Sequence, residues 1–518
     1  MRTFEQTGSL TRRRLLGTAA GAFAMTALPG VGAFAQTPKR GGVLRYSCGH
    51  GATTDTLDPG LFDNDFLIGL DYMLHNHMAE LTADGELVGE VAESWEASAD
   101  AKEWVFRIRD GITFHNGATL TAEDVVASVN YHRGEDSSSA AGALVAQITD
   151  MRADGNTVVV QLEAGNADFP YIISDYHIPI IPSKDGKVVD PVDGVGCGPY
   201  KLVSFEPGIS AVVTRNENYW KEGAGFFDEI RMQALIDPAA RTNALLTGEI
   251  DLMNRVELKT VALLERNAGV NVYSIAGNQH YTFPMLTNIA PFDNAGVRLA
   301  LKLLAPRQDM VDKILSGHGS VATDNPIGAG VPFSAGLDQR PYDPDQAKFH
   351  LNKAGFDSLK ISLHAADAAF AGAVDAASLY REAALPAGVE IDVVREPNDG
   401  YWSDIWTKKP WCACYWGGRP TVDAMLSLAY VPGAAWNDTN WENARFVDLV
   451  RMGRAELDTA KRAEIYYEAQ QLVSDDGGTV VPMFANYVYA AKSTLSHGDL
   501  ASNWDMDGQK FSERWWFS

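Results

Sequence analysis

The chain has 518 residues, 46% of them hydrophobic, with 43 basic against 67 acidic side chains and a formal net charge of −24. Length and apolar content suffice for large cores and more than one lobe. So acidic a chain excludes nucleic acid or an anionic membrane as the expected partner.

From the N-terminus, Thr11-Arg12-Arg13-Arg14-Leu15-Leu16 opens an Ala- and Gly-rich apolar run that ends at Ala33-Phe34-Ala35. A basic start, a short apolar stretch and an A-x-A site predict a secretory signal peptide, cut after about Ala35. Gly17, Gly21 and Pro29 interrupt the run, which leaves it too short and broken for a bilayer span. Paired arginines before a mildly hydrophobic segment point to the twin-arginine route, with an ordinary Sec signal as the alternative. No Cys sits at the cleavage site, so no lipid anchor is expected and the mature chain is placed in the periplasm. Cleavage removes four arginines and one glutamate, a net +3, and moves the charge to −27.

In the mature chain, residues 40–47 alternate like a first strand, and 66–81 carry the pattern of an amphipathic helix. Trp104 to Arg109 alternates apolar and charged residues, as a strand buried on one face does. A turn follows at His115-Asn116-Gly117, then Thr121 as an N-cap with Glu123 and Asp124 in the first helical turn. Strands are expected at 156–162, 200–205 and 230–236, a helix from Pro238 to Thr247 stopped by Gly248, and a short strand at 249–252. The second half offers helices at 294–304, 307–315, 343–354 (Asp343 as N-cap, Pro344 at N1), 445–456 and 459–474. Strands are expected there at 359–364, 389–394 and 479–484. This mixture predicts α/β lobes.

Several stretches together resemble a known family. Glu93-Ser94-Trp95-Glu96, Trp104-Val105-Phe106-Arg107-Ile108-Arg109, Gly111-Ile112-Thr113-Phe114-His115-Asn116-Gly117 and Leu120-Thr121-Ala122-Glu123-Asp124-Val125 resemble the signature of family 5 of the bacterial extracellular solute-binding proteins, the ABC-importer receptors for peptides, nickel complexes and opines. Gly196-Cys197-Gly198-Pro199-Tyr200 is similar to that family's G-T-G-P-Y. Arg215-Asn216-x-x-Tyr219-Trp220, Ala240-Arg241 through Gly248-Glu249-Ile250-Asp251, Pro291-Phe292 through Arg298, and Tyr342-Asp343-Pro344 extend the likeness along the mature chain. The resemblance implies a two-lobed periplasmic-binding-protein (Venus flytrap) fold of the large cluster-C type, with an extra subdomain in lobe I. Lobe I would hold residues 36–285 plus 486–518, and lobe II 286–485. It also implies a monomer that closes on a solute by a hinge motion and delivers it to an ABC permease and its ATPase.

In that family a W-x-x-D-x-P-D-P segment of lobe II lines the pocket, and its first Asp pairs with a peptide ammonium. Here the stretch reads Tyr415-Trp416-Gly417-Gly418-Arg419-Pro420-Thr421-Val422-Asp423, which puts Gly418 at the carboxylate position and Arg419 beside it. A buried ammonium needs a compensating charge, whereas an Arg fork suits a carboxylate or phosphate. The expected ligand is therefore peptide-like or opine-like with an anionic group, the alternative being a plain di- or oligopeptide. Arg419 could instead face solvent or pair with Asp423, and Asp423 could itself take the ammonium role. Trp416 leads the aromatic candidates, with Tyr415 and Trp436 behind it. Asn440 lies in an asparagine-rich turn, and Tyr281, His280, Tyr46 and His50 are the candidates near the hinge and the first strand.

Catalysis has little to stand on. There is no G-x-S-x-G, H-E-x-x-H or P-loop, and Gly194-x-Gly196-x-Gly198 has the wrong spacing for a dinucleotide. A secreted hydrolase remains the alternative of another class. No cofactor or metal is expected. His75-x-His77 sits on the expected 66–81 helix, where i,i+2 side chains point apart. Cys48, Cys197, Cys412 and Cys414 lack zinc-finger spacing and read as buried thiols or one disulfide.

Overall fold

The strand Val43–Cys48 buries Leu44, Tyr46 and Cys48 against Phe66, Leu70, Met73, Tyr489, Phe511 and Trp515. In a computed structural model, which describes residues 38–134, 137–398, 400–434 and 436–518, this strand is central to a seven-stranded mixed sheet. Its order is Tyr200–Glu206, Ser210–Arg215, Glu229–Ala234, Val43–Cys48, Leu252–Met253, Tyr487–Lys492, Val270–Ile275. Val43–Cys48 runs parallel to both neighbours. Parallel strands need a crossover, and the helix Pro238–Thr247 lies in the connection between Glu229–Ala234 and Leu252–Met253. Asp237 caps it through Ala240 N, Pro238 opens it, and Gly248 ends it in the left-handed region. The expected signal peptide lies outside the described residues. Among the described residues no helix is long and apolar enough to cross a membrane.

A separate antiparallel sheet, Ala92–Ala97, Glu103–Ile108, Thr157–Leu162, Ile148–Asp154, packs Trp104, Phe106 and Ile108 inward. The helix Ala122–Tyr131 starts on a capping box between Thr121 and Asp124, and Asp124 also accepts from Ser183 N at 2.7 Å. The turn at His115 reaches the glycine turn at residues 196–198. Gly196 N donates to His115 Nδ1 at 3.2 Å and His115 Nε2 donates to Gly198 O at 3.1 Å. Burial lowers this imidazole to about 4, so it is neutral and serves as a clip between the two motifs. A Cβ on Gly196 would lie 2.1 Å from Leu74 O, and one on Gly198 2.5 Å from Leu74 C. Only glycine allows that approach.

The second main sheet is antiparallel, in the order Gly319–Val321, Thr479–Ala485, His280–Pro284, Cys414–Trp416. Beside it, Leu359–Ala365 and Val389–Arg395 pair in parallel, with the helix Ala373–Ala384 in their connection. The chain passes between the two main sheets twice, from Ile275 to His280 and back from Ala485 to Tyr487.

Three expectations are corrected. The segment 66–81 is not one helix: Asp65–Leu74 is helical and Ala79–Leu81 is a strand. The helix stops where residues 196–198 press on the Leu74 carbonyl. His75 and His77 therefore do not point apart. His75 Nδ1 lies 2.9 Å from Asp71 Oδ1 and His77 Nε2 3.1 Å from Asp71 Oδ2, all three side chains buried. The short strand expected at 249–252 is confined to Leu252–Met253.

Candidate functional site

The strands His280–Pro284 and Cys414–Trp416 set Tyr281 opposite Tyr415 and His280 opposite Trp416. Successive strand residues face opposite sides, so these pairs serve different surroundings. Tyr281 stacks flat on Phe370 at 4.1 Å, and Tyr415 meets Trp402 edge-on at 5.6 Å. Tyr415 and Trp402 are 42% and 41% exposed, an aromatic surface open to solvent. On the other side Trp416 is buried against Trp406 and Trp436. Trp416, first among the aromatic candidates, is thus core, while Trp436 covers it from outside at 46% exposure.

His280 is fully buried, its Nδ1 hydrogen-bonded to Asn278 O at 3.1 Å. Burial drives its pKa down to about 4; the Asn278 carbonyl opposes this and nearby Arg419 adds to it. A depressed histidine contributes stability that is present above its ordinary value of 6.5 and lost as pH falls towards 4. His280→Gln is expected to remove one proton's slope, at most ~1.4 kcal/mol per pH unit, from unfolding free energy in that window. Denaturant titrations at several pH values read this directly, and an unchanged slope would refute it.

Beyond Trp416 the backbone turns through Gly417 and Gly418. A Cβ at Gly418 would stand 2.1 Å from Asn278 Cβ, so no carboxylate-bearing side chain fits there. Arg419 follows, half-buried. It donates to Gly417 O at 3.1 Å and Gly418 O at 3.0 Å, and among the described residues it makes no ion pair. The expected alternative pairing with Asp423 is absent. Asp423 is bound by Arg454 Nε at 3.0 and 3.1 Å and by Ser427 at 3.2 Å. Burial lowers the Arg419 pKa, with Tyr176 and Asp175 acting the other way.

Gly418, Arg419 and Pro420 line a cavity of about 100 Å³, whose other walls include Tyr72, Tyr176, Trp504 and Lys510. Those walls come from residues 72–87, 171–176 and 503–510, on the side of the first sheet. Near the end of Val43–Cys48, Asp65 N donates to His50 Nδ1 at 3.2 Å and Arg255 Nε donates to Asp65 Oδ2 at 2.8 Å. Arg255 is half exposed there, and its charge reaches Tyr281. Sequence reasoning missed it, since nothing local marks it. Tyr46, by contrast, is wholly buried and packs on Phe511 at 4.7 Å. Asn440 donates to Asn288 at 3.3 Å and accepts from Thr287 on its carbonyl at 3.0 Å, which ties it to the 287–288 segment.

Beneath the cavity lies a charge cluster that the sequence did not reveal. Lys221 Nζ is 2.7 Å from Glu80 and Glu90 and 2.9 Å from Glu513. Lys510 Nζ is 3.0, 2.7 and 3.3 Å from the same three. Burial raises the Glu90 pKa, but the two lysines outweigh it and hold the carboxyl below the usual range. The three carboxylates converge closely enough to ligate a cation, and the two ammonium groups already occupy that role. All four cysteines are free and buried; burial pushes Cys48 and Cys197 up to about 12, which leaves inert thiols.

Residues 86–437 match the model of the bacterial extracellular solute-binding proteins, family 5 Middle. The nickel-binding periplasmic protein of Escherichia coli (strain K12) is 30% identical over 299 residues, which span 55% of this chain and 56% of that protein. The oligopeptide-binding protein OppA of Bacillus subtilis (strain 168) is 24% identical over 84% of this chain and 85% of its own length. In fold, the structure of HbpA2 from Haemophilus parasuis superposes with a TM-score of 0.81 at 19% identity, over 92% of this chain and all of that one. The architecture is the two-lobed α/β fold of these binding proteins, and the chain belongs to the bacterial extracellular solute-binding proteins, family 5.

Proposed function

We propose that this protein is the periplasmic substrate-binding component of an ABC importer. It captures a small solute between its two lobes and presents it, as a monomer, to a membrane permease and its ATPase. It is a receptor and not an enzyme. The solute is peptide-like or opine-like and bears an anionic group. The observation that carries this reading is Arg419: a half-buried guanidinium on a cavity walled by residues 72–87, 171–176, 418–420 and 503–510, bonded among the described residues only to two carbonyls. A cation so placed is stabilised by an incoming carboxylate or phosphate. Tyr72, Tyr176 and Trp504 on the same cavity offer apolar contact to such a solute.

The match to an oligopeptide-binding protein over most of both chains favours a second reading, a plain di- or oligopeptide. Mass spectrometry of small molecules released from the natively exported protein separates the two. One carboxylated or phosphorylated metabolite supports the first reading. A mixture of di- to oligopeptides replaces it with the second.

A further inference from the structure

The segment that carries Arg419 is held by the hinge itself. Asn278 lies in the crossing between Val270–Ile275 of the first sheet and His280–Pro284 of the second. The same crossing is bonded to the return one, Ala485 N donating to Gln279 O at 2.8 Å. Two glycines, Gly418 and Gly328, close around Asn278. A Cβ on Gly418 would fall 2.1 Å from its Cβ and 3.1 Å from its backbone, and one on Gly328 would fall 2.4 Å from its Oδ1. Gly330 stands further off, with 4.0 Å from a Cβ to the same oxygen. Antiparallel pairing of His280 with Trp416 brings Asn278, two residues before His280, face to face with Gly418, two residues after Trp416. Packing that leaves no room for a Cβ at Gly418 or Gly328 transmits displacement, because packed groups do not compress.

We propose that Asn278 is a positioning residue which couples hinge bending to the placement of the Arg419 guanidinium. When the crossing at 276–279 rotates, the Asn278 side chain pushes or releases the Gly418 backbone. Arg419, one residue on and bonded back to Gly417 O and Gly418 O, moves with it. The two glycines are the price of an asparagine inside the hinge. This rests on the reading of Arg419 as a ligand-facing group, yet its test needs no ligand.

The test reads the Arg419 Nε–H resonance of the whole mature protein by NMR, assigned through its loss in Arg419→Lys. Gly418→Ala is expected to shift that resonance and to raise amide exchange across 416–419 about tenfold, as local opening does. Adding Asn278→Gly, which removes the opposing Cβ, is expected to return both towards wild type. Asn278→Gly alone introduces no clash and keeps the test informative if Gly418→Ala fails to fold; it is expected to broaden the resonance. Overturning results are an unmoved resonance in Gly418→Ala, a double variant still displaced, or an Asn278→Gly spectrum like wild type. Failure here with binding still lost in Arg419→Ala would sink the coupling and leave the anion reading intact.

Discussion

Arg419→Ala is expected to weaken binding of the native ligand by ~2–5 kcal/mol, the range for removing one partner of a buried charge contact. The same variant should leave unfolding free energy within about 0.5 kcal/mol of wild type, as a substitution that breaks no buried pair does. The split follows from the geometry: Arg419 makes no ion pair among the described residues and bonds only to the carbonyls of Gly417 and Gly418. Arg419→Lys keeps the charge, loses the fork, and should fall between. Calorimetry with the released ligand and denaturant unfolding measure the two effects separately. Unchanged affinity in Arg419→Ala would sink the anionic-ligand reading.

Lys510→Met is expected to have the largest effect on stability, about 3–5 kcal/mol, because it strands buried carboxylates. Lys510 Nζ contacts Glu80, Glu90 and Glu513, and of these Glu90 and Glu513 are buried with it. Its removal leaves Lys221 as the one ammonium on all three. The loss should appear as a lower denaturant midpoint with unchanged slope. A change below about 1 kcal/mol would mean that a glutamate takes up a proton in the variant, and the effect would then reappear as a pH dependence.

What the sequence disclosed and what it hid divide along a physical line. The helix Pro238–Thr247 was readable to the residue because its cap, its proline and its terminating glycine are all local; the helix Pro344–Lys353 was readable for the same reason. The end of Asp65–Leu74 was not, since what stops it arrives from residues 196–198. At the candidate site, the missing carboxylate at Gly418 was legible as a departure from the family pattern, and the packing against Asn278 gives its physical reason. The choice between Tyr415 and Trp416 was not, because which of two neighbours faces the core depends on register with Tyr281 and His280. Arg255 and the Lys221–Lys510 cluster draw on residues scattered through the chain, and only the folded topology assembles them.

The split origin of the first sheet has a bearing on biosynthesis. Its strand Tyr487–Lys492 sits between Leu252–Met253 and Val270–Ile275, while the whole second sheet is built from residues 280–485. A ribosome working from the N-terminus thus supplies every strand of the second sheet before the one that joins Leu252–Met253 to Val270–Ile275. During that interval both strands present an unpaired edge on that side, the kind of surface that recruits foreign strands. Phe511 and Trp515, which fill the core beneath Tyr46 and Tyr489, arrive later still. The nascent chain is therefore most vulnerable to aggregation just when the second sheet is complete, and a holdase bound in that window would protect the half-built first sheet.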